Sequence, residues 1–351
     1  MRKTIAVLAG DGIGPEVTSQ SVNLLKEIAE KFNHEFIFRE ALVGAIAIDK
    51  TGNPLPDETL KLCKDSDAVL FGAIGDPKYD NDPTLKVRPE QGLLALRKGL
   101  GLYANIRPIY TFDATIDQSP IKQDLIKDVD FIVIRELTGG IYFGEKGRNK
   151  SNNQAFDTCV YNKEDIIRVS KIAFDLAQKR NRKLTVVDKA NVLETSKLWR
   201  QTIQEMLRDY PQTTVNFMYV DNAAMQIIKF PKSFDVILTE NMFGDILTDE
   251  ASVITSSLGM LPSASIGQST SLFEPIHGSY PQAAGKNIAN PIGSMLSAAM
   301  LLDYAFGLKE ESGVITSAIK KVLSQGFGTE DIVKENPLST TDFATKVVDL
   351  I

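Results

Sequence analysis

Short apolar runs alternate with helical patterns through the middle of this chain. From about residue 130, each apolar run ends in charged or amide residues; the runs are 131–134, 184–187, 215–220 and 234–238. Between them apolar residues recur at helical spacing, as over residues 166–177. This alternation predicts a largely parallel sheet with helices packed against it. In such sheets ligands bind beyond the carboxyl ends of the strands, where Arg135, Lys189 and Asp221 fall.

The N-terminal pattern is a strand, a glycine-rich loop and a helix. Residues 4–9 are apolar and run into Gly10-Asp11-Gly12-Ile13-Gly14-Pro15. The third glycine of the dinucleotide fingerprint G-x-G-x-x-G is absent and Pro15 occupies the helix start, so we reject a Rossmann fold. The loop is either a tight turn that packs strand on helix or a ligand loop. A second buried strand, 67–71, leads into another polar, glycine-rich loop.

Three further stretches can be placed. A helix is predicted to start near Pro89 and to end near Arg97. Asn290 before Pro291 predicts an N-cap followed by proline at the first helical position. Residues 142–161 interrupt the rhythm with a polar stretch, which is either a loose loop or an arm that grips a partner subunit, with a strand at 156–161.

The stretch 239–250 carries the most telling pair of charges. It reads TENMFGDILTDE and places Asp245 and Asp249 four residues apart, on one face of a helix. After Lys232 the next basic residue is Lys286, so the pair has no cation nearby in sequence. The pair is either a solvated helix face or two ligands of a hard divalent cation.

Composition narrows the class of protein. The 351 residues carry a net charge of −6 with a pI near 5.2, which argues against nucleic acid or an anionic membrane as partner. No apolar run approaches the roughly 20 residues that span a bilayer, and the N-terminus does not resemble a signal peptide. Two cysteines suggest a reducing cytoplasm. Two histidines exclude a zinc site of several histidines and leave proton transfer to Lys, Tyr or carboxylates.

Together these residues suggest a reaction. Arginines suit a substrate with several carboxylates, although each alone could form a structural ion pair. Aspartates without histidine or thiolate suit Mg²⁺ or Mn²⁺. A nearby lysine could take a hydroxyl proton, and a tyrosine could return a proton to carbon. This set suits oxidation of a 2-hydroxy acid followed by decarboxylation of the β-keto acid.

The motifs resemble those of the decarboxylating β-hydroxyacid dehydrogenases, the isocitrate/isopropylmalate dehydrogenase family. The similarity runs essentially end to end, and the set of motifs is specific although single members are weak. The matching stretches are GDGIGPEV (10–17), GDPKYD (75–80), RPEQGLLALR (88–97), NIRP (105–108), RELTGGIYFG (135–144), VDKANVL (187–193), VDNAAM (220–225), TENMFGDILTDEAS (239–252), LPSASIG (261–267) and EPIHGS (274–279).

The resemblance implies an α/β, non-Rossmann, two-domain fold with a mostly parallel sheet and flanking helices. Residues 1–102 and 256–351 would form a cofactor-binding domain. Residues 103–255 would form an inserted domain with the dimer interface and an arm at about 143–161. A homodimer would share its active sites, with Lys189 and Asp221 reaching into the neighbour's cleft. The location would be cytoplasmic.

The resemblance also implies the roles of individual residues. Lys189 would be the base at the hydroxyl and Tyr142 the acid at the enolate. The substrate would contact Leu93, Leu94, Arg97, Arg107, Arg135, Asn191 and Asp221. Mg²⁺ or Mn²⁺ would bind Asp221, Asp245 and Asp249. NAD would contact Ile13, Gly75, Asp76, Pro77, Glu90, Glu274, His277, Gly278, Ser279, Tyr280, Pro281, Gln282, Ala289 and Asn290.

Substrate choice within the family depends on the residues before Arg97. Relatives that act on isocitrate carry small polar residues there, whereas Leu93 and Leu94 suit an isopropyl group unless they are simply core. Glu90 also fits the isopropylmalate branch. The expected reaction is therefore the oxidative decarboxylation of (2R,3S)-3-isopropylmalate to 4-methyl-2-oxopentanoate and CO2 in leucine biosynthesis, with reduction of NAD. Isocitrate, homoisocitrate, tartrate or malate are alternative substrates, and a catalytically silent anion-binding or scaffold subunit is an alternative of another class.

One position departs from the family pattern. Gln282 stands where the family usually has an acidic residue on the adenosine ribose. A carboxylate there favours NAD over NADP because it repels the 2′-phosphate. With glutamine we still expect NAD, but weaker discrimination against NADP.

Overall fold

The computed structural model describes residues 1–80, 85–151 and 153–351. The strands are β1 (Arg2–Gly10), β2 (Glu35–Glu40), β3 (Ala68–Ala73), β4 (Ala104–Tyr110), β5 (Asp130–Glu136), β6 (Lys146–Arg148), β7 (Ala155–Asp157), β8 (Lys183–Asp188), β9 (Thr214–Tyr219), β10 (Val236–Thr239), β11 (Pro262–Ile266) and β12 (Ser271–Pro275). The helices are α1 (Gly14–Lys31), α2 (Ala45–Thr51), α3 (Asp57–Lys64), α4 (Pro77–Asp80), α5 (Pro89–Gly99), α6 (Gln123–Ile126), α7 (Lys163–Lys179), α8 (Glu194–Met206), α9 (Val220–Lys229), α10 (Asn241–Ala251), α11 (Ile292–Met300), α12 (Lys309–Ser324) and α13 (Thr340–Val348).

The chain divides into two compact units. Unit 1 comprises Met1–Leu102, Phe112–Pro120 and Thr255–Ile351, and unit 2 comprises Tyr103–Thr111 and Ile121–Ile254. Residues 112–120 therefore belong to unit 1, whereas the sequence analysis assigned them to the inserted domain. A hydrogen bond of 2.7 Å from the Ser256 hydroxyl to the Thr115 carbonyl helps to hold this segment within unit 1.

Unit 1 is built on parallel strands. Its strand order is β2-β1-β3-β12-β11, with β11 antiparallel to β12 and the other neighbours parallel. Strand β3 is buried along its whole length, as expected for a central strand with both faces covered. Helix α11 is also buried at every position. It starts at Ile292, one residue later than the predicted cap implied, although the Asn290 side chain does accept from the Ile292 amide at 3.0 Å.

The first glycine-rich loop packs closely against the backbone of Ser279. Gly12 has φ +59°, and a Cβ there would lie 1.9 Å from the Ser279 carbonyl oxygen, so no side chain fits. The next amide, of Ile13, donates to the same carbonyl at 2.8 Å. Buried Asp11 accepts from the amides of Ala45 and Gly75 at 2.8 and 2.9 Å, and thereby joins this loop to the second glycine-rich loop.

Unit 2 repeats the α/β pattern. Its strand order is β4-β5-β10-β8-β9, with β4 antiparallel to β5 and the others parallel. Strands β5, β8 and β10 are buried, as the apolar runs predicted. Strand β9 is half-exposed because it lies at the end of this order and has one strand neighbour. The predicted α/β fold with a mostly parallel sheet and flanking helices is confirmed.

The segment predicted as an arm contains a small antiparallel pair, β6 with β7. The strand lies at 155–157 rather than 156–161, and Phe156 on it is about half exposed. Residue 152 of this segment lies outside the described residues. In the described part of the chain, no helix combines the length and apolar character that a membrane crossing requires.

Candidate active site

Helix α10 presents the predicted pair of aspartates. Its buried face includes Phe243, Leu247 and Thr248, and this face turns Asp245 and Asp249 away from the core together. Gly244 is essential to this packing: a Cβ there would lie 2.7 Å from Arg135 Cγ. The glycine therefore lets the side chain of a neighbouring strand lie directly against the helix.

Asp245 is held by three side chains from the strands and the loop that follows them. Arg135 donates to its Oδ1, Arg107 Nη2 lies 3.6 Å from the same oxygen, and the Tyr142 hydroxyl donates to Oδ2 at 2.9 Å. Both guanidinium groups are almost fully buried. No basic residue lies near Asp245 in sequence, but Asp245 still has cationic partners. The antiparallel pairing of β4 with β5 brings two arginines to this helix.

The guanidinium groups of the two arginines are fixed from behind. Arg135 also donates to the side-chain and backbone oxygens of Asn241, at 2.9 to 3.1 Å. Arg107 donates to Asn105 and to the hydroxyl of Thr248 on α10. Such preset guanidinium forks suit a carboxylate ligand, because the cost of ordering the side chains is already met.

Asp249 differs from Asp245. Among the described residues its carboxylate has no hydrogen bond or ion pair. Burial raises the pKa of Asp249, the charge on Arg107 lowers it, and the negative charge on Asp245 raises it further. A carboxylate left repelled and unpaired is a fitting ligand for a hard cation.

Lys189 and Asp221 form a second group. Lys189 follows β8, and Asp221 lies in the first turn of α9 after the neighbouring strand β9. The two side chains meet at 2.5 Å, and this hydrogen bond lowers the pKa of Asp221. Asn191, in the same turn as Lys189, is exposed.

The three predicted metal ligands do not assemble within one chain. In the described residues no group of three or more His, Cys, Asp and Glu side chains is arranged to hold a metal. Asp245 and Asp249 lie together on α10, whereas Asp221 is paired with Lys189. The donor set of hard oxygens fits Mg²⁺ or Mn²⁺, but one chain supplies it in two parts.

Two buried carboxylates support the turn that carries Lys189. Asp188, fully buried, forms a two-point pair with Arg200 at 2.8 Å and accepts from the Ala190 amide at 3.0 Å. The Lys189 amide donates to the Ser196 hydroxyl at 3.1 Å, and that hydroxyl donates to Glu240. Burial raises the pKa of Glu240 to about 7, the hydrogen bond from Ser196 lowers it, and the charge on Asp188 raises it.

In unit 1, helix α5 carries Arg97 and the two leucines. Leu93 and Leu94 are both partly exposed, whereas Leu96 on the same helix is fully buried. The two leucines are therefore not simply core. Arg97 Nη2 lies 3.3 Å from Glu274 Oε1, and its Nε is buried without a partner among the described residues. A buried N–H without a hydrogen-bond partner is uncommon in a folded protein.

A cavity of about 780 Å³ in unit 1 is large enough for a nucleoside. Its lining includes six of the predicted cofactor residues: Ile13, His277, Gly278, Tyr280, Ala289 and Asn290. Burial lowers the pKa of His277, whose Nδ1 bonds to the Gly278 carbonyl and whose Nε2 is buried without a partner among the described residues. Apolar residues and a few polar groups line this cavity together, as is usual for a small-molecule site.

The other predicted cofactor residues do not line this cavity: Gly75, Asp76, Pro77, Glu90, Glu274, Ser279, Pro281 and Gln282. Gly75 lies between the side chains of Glu90 and Ser279, since a Cβ on it would be 3.3 and 3.4 Å from their oxygens. Gln282 is exposed.

Part of the lining was missed by the sequence analysis. These residues are Ser257, Leu258, Gly259, Glu330, Asp331, Val333, Lys334 and Pro337. Asp331 accepts from Asn290 Nδ2 at 2.9 Å, from the Thr329 hydroxyl at 2.6 Å and from the Ser257 hydroxyl. The available signal was a polar run that follows Gly326 and Gly328, which resembles the other two glycine-rich loops.

An α/β fold with buried arginines, paired aspartates and a nucleoside-sized cavity suits an oxidoreductase that acts on an acidic substrate with a nucleotide cofactor. A family model, isocitrate/isopropylmalate dehydrogenase, matches residues 4–347. The chain is 55% identical to a 3-isopropylmalate dehydrogenase of Bacteroides fragilis, over 99% of this chain and 98% of that protein. It is 50% identical to a Bacillus subtilis enzyme of the same name, over 99% and 96%. The crystal structure of an isocitrate dehydrogenase from Methylococcus capsulatus has a TM-score of 0.89 at 31% identity, with 99% of each chain covered. The chain belongs to the isocitrate/isopropylmalate dehydrogenase family.

Proposed function

We propose that this protein is the NAD-dependent enzyme that oxidises (2R,3S)-3-isopropylmalate and decarboxylates it to 4-methyl-2-oxopentanoate and CO2, in leucine biosynthesis. The observation that carries the proposal is the cluster at Asp245, where two buried arginines and a tyrosine hydroxyl converge on one aspartate. The similarity to enzymes named 3-isopropylmalate dehydrogenase supports the choice of substrate.

We assign Arg97, Arg107 and Arg135 to the substrate carboxylates. Two of them are fixed by hydrogen bonds to neighbouring side chains, and the third has a buried N–H without a partner in the described part of the chain. Leu93 and Leu94, partly exposed on α5, would contact the isopropyl group. Burial of a branched aliphatic group there would contribute about 1.5–3 kcal/mol.

Lys189 would take the proton from the substrate hydroxyl while hydride leaves the same carbon for NAD. Lys189 would have to be a neutral amine to accept this proton, and Asp221, whose Oδ1 lies 2.5 Å from Lys189 Nζ, would orient the lysine side chain. Tyr142 would then give a proton to carbon after CO2 leaves. Burial and the charge on Asp245 raise the pKa of Tyr142, so the hydroxyl stays protonated at neutral pH and ready to donate.

Mg²⁺ or Mn²⁺ would be held by Asp245, Asp249 and Asp221. The bound ion would acidify the hydroxyl and stabilise negative charge on the enolate. Asp245 and Asp249 fit this role because Asp249 has no competing partner and Asp245 faces the same side of α10.

A homodimer with shared sites would bring the third aspartate. Within one chain Asp221 is not grouped with the aspartates of α10. Helices α9 and α10 expose Met225 and Ile246, each more than half exposed, which is the kind of apolar surface that a second subunit covers. We therefore propose that Lys189 and Asp221 complete the site of the partner subunit, as the resemblance implied.

NAD is the proposed cofactor, with its nucleoside in the cavity beside His277 and Asp331. Gln282 would accept from a ribose hydroxyl but would repel a 2′-phosphate less than a carboxylate does. We also propose a cytoplasmic location; Cys63 and Cys159 are both free thiols, which accords with a reducing compartment.

The direct test is NADH formation by the purified protein with NAD and Mn²⁺. We expect NADH from 3-isopropylmalate, loss of activity with chelator and recovery when Mn²⁺ is restored. NADH from isocitrate, homoisocitrate, tartrate or malate but not from 3-isopropylmalate would overturn the substrate assignment. No NADH from any of the five acids would favour a catalytically silent subunit, although Lys189, Tyr142 and the three aspartates are all present.

A further inference from the structure

Glu240 is a buried acidic residue that the reaction described above does not use. It is 4% exposed and lies between β10 and α10, facing the hydroxyl of Ser196 at the start of α8. Ser196 is fully buried. An ionised carboxylate in such a place costs free energy, and a neutral side chain would satisfy the same hydroxyl more cheaply.

The hydroxyl of Ser196 is a relay between Glu240 and the Lys189 turn. The Ser196 hydroxyl accepts a hydrogen bond from the Lys189 backbone amide at 3.1 Å and donates one to the Glu240 carboxylate. Because the hydroxyl hydrogen points at the carboxylate, the oxygen lone pairs that accept from the amide have a fixed direction. The position of the Lys189 backbone is thereby tied to the position of Glu240.

Glu240 also sets the start of the helix that carries the aspartates. Its carbonyl accepts from the Gly244 amide at 2.9 Å, the first turn of α10. Glu240 therefore links two parts of the site through hydrogen bonds. These parts are the turn that carries Lys189 and the helix that carries Asp245 and Asp249.

We propose that Glu240 is a positioning residue for Lys189, acting through Ser196. This inference rests on the proposed function, in which Lys189 is the base. Glu240 touches neither substrate nor cofactor in this scheme; it fixes the backbone from which the lysine side chain extends. Misplacement of a reacting group by about 1 Å can cost roughly 100-fold in rate.

The test compares kcat, KM for NAD and thermal stability among variants of the full-length enzyme with isopropylmalate and Mn²⁺. Ser196→Ala removes the relay, and we expect kcat to fall roughly 10- to 100-fold with KM for NAD unchanged. Ser196→Thr keeps the hydroxyl, and we expect it to restore most of kcat. Ser170→Ala is the matched control, because Ser170 is a fully buried serine of unit 2 whose hydroxyl has no partner among the described residues.

Glu240→Met, which has a similar length but no oxygen to accept from the Ser196 hydroxyl, supplies the second arm of a double-mutant cycle. If Glu240 acts through Ser196, the change lowers kcat in the wild-type background and has no further effect in Ser196→Ala. Equal losses in both backgrounds would overturn the relay. So would a Ser196→Ala enzyme whose kcat matches that of Ser170→Ala, or one that loses kcat and NAD affinity together.

Failure of the inference can be told apart from failure of the proposed function. Wild-type protein that forms no NADH, or a Lys189→Met variant that still does, would refute the role of Lys189 itself. An inactive Lys189→Met variant alongside a fully active Ser196→Ala variant would refute only the role of Glu240.

Discussion

Arg97 Nη2 lies 3.3 Å from Glu274 Oε1, and both side chains are about nine-tenths buried. The sequence motifs predict that Arg97 contacts the substrate and that Glu274 contacts the cofactor. Their contact couples the two sets of residues within unit 1, because removing one charge leaves the other buried and unpaired.

Replacing Arg97 should therefore affect both ligands. We expect Arg97→Gln to raise KM for isopropylmalate at least tenfold and to raise KM for NAD as well, because Glu274 loses its partner. The matched change Arg107→Gln should raise KM for isopropylmalate alone. Steady-state kinetics with each ligand varied in turn measure both, and an unchanged KM for NAD in Arg97→Gln would refute the coupling.

Tyr142 should be required for the proton transfer to carbon. We expect Tyr142→Phe to lower kcat by about 10²- to 10⁴-fold, because the hydroxyl that donates to Asp245 is lost while the ring beside Arg135 is kept. Tyr103→Phe is the control, since its ring packs against Arg168 in the same unit. Near wild-type kcat in Tyr142→Phe would remove the tyrosine from the mechanism.

Asp249 should stabilise the protein only when a metal is bound. Its pKa is raised by burial and by Asp245, so the ionised carboxylate opposes folding at neutral pH. We expect Asp249→Asn, in chelator, to have a Tm equal to or slightly above wild type, and to lose the increase in Tm that Mn²⁺ gives wild type. Glu250→Gln, at the next position of α10, should keep that increase; a Mn²⁺-dependent increase in Asp249→Asn would contradict the ligand assignment.

Glu240 should make stability depend on pH. Its pKa is about 7 in the folded protein against 4.5 as the ordinary value, so the folded state holds the proton more tightly. Ionisation thus destabilises the fold progressively from pH 4.5 to 7, and fully above 7. As the pH rises from 4.5 to 7, the free energy of unfolding of Glu240→Gln minus that of wild type should increase by on the order of 3 kcal/mol. Urea unfolding at several pH values measures it, and parallel curves would refute the raised pKa.

Shared active sites predict that two inactive variants rescue each other. Lys189→Met and Asp249→Asn should each be inactive alone. Mixed after dissociation and reassembly, they should regain about a quarter of wild-type activity, because half the dimers are hybrids and each hybrid has one intact site. A mixture that stays inactive, with hybrid dimers shown to be present, would place the whole site within one subunit.

Sequence patterns predicted the features that lie within a single helix or strand. The four-residue spacing of Asp245 and Asp249 is a property of one helix, so the sequence alone was enough to place them on one face. The ion-pair partners of Asp245 were missed because Arg135 lies 110 positions away in sequence and is brought to α10 by strand pairing. No periodicity encodes that register.

The cofactor cavity shows the same limit. Ile13 and His277 lie in recognisable motifs, whereas Asp331 and Lys334 lie in an irregular segment with no apolar period to mark it. Tertiary hydrogen bonds from Asn290 and Ser257 to Asp331 define that wall. Asp221 pairs with Lys189 within the described part of the chain, so its grouping with the other aspartates depends on the dimer proposed above.

The contact of Gly244 with Arg135 has a practical consequence for redesign. Even an alanine at 244 would clash with Cβ and Cγ of Arg135 and displace that arginine from its place beside Asp245, so this position of α10 has no room for a side chain. Efforts to give this scaffold a different 2-hydroxy acid should keep that helix intact and diversify positions 93 and 94 of α5, where the side chains are partly open and a change in bulk disturbs no buried pair.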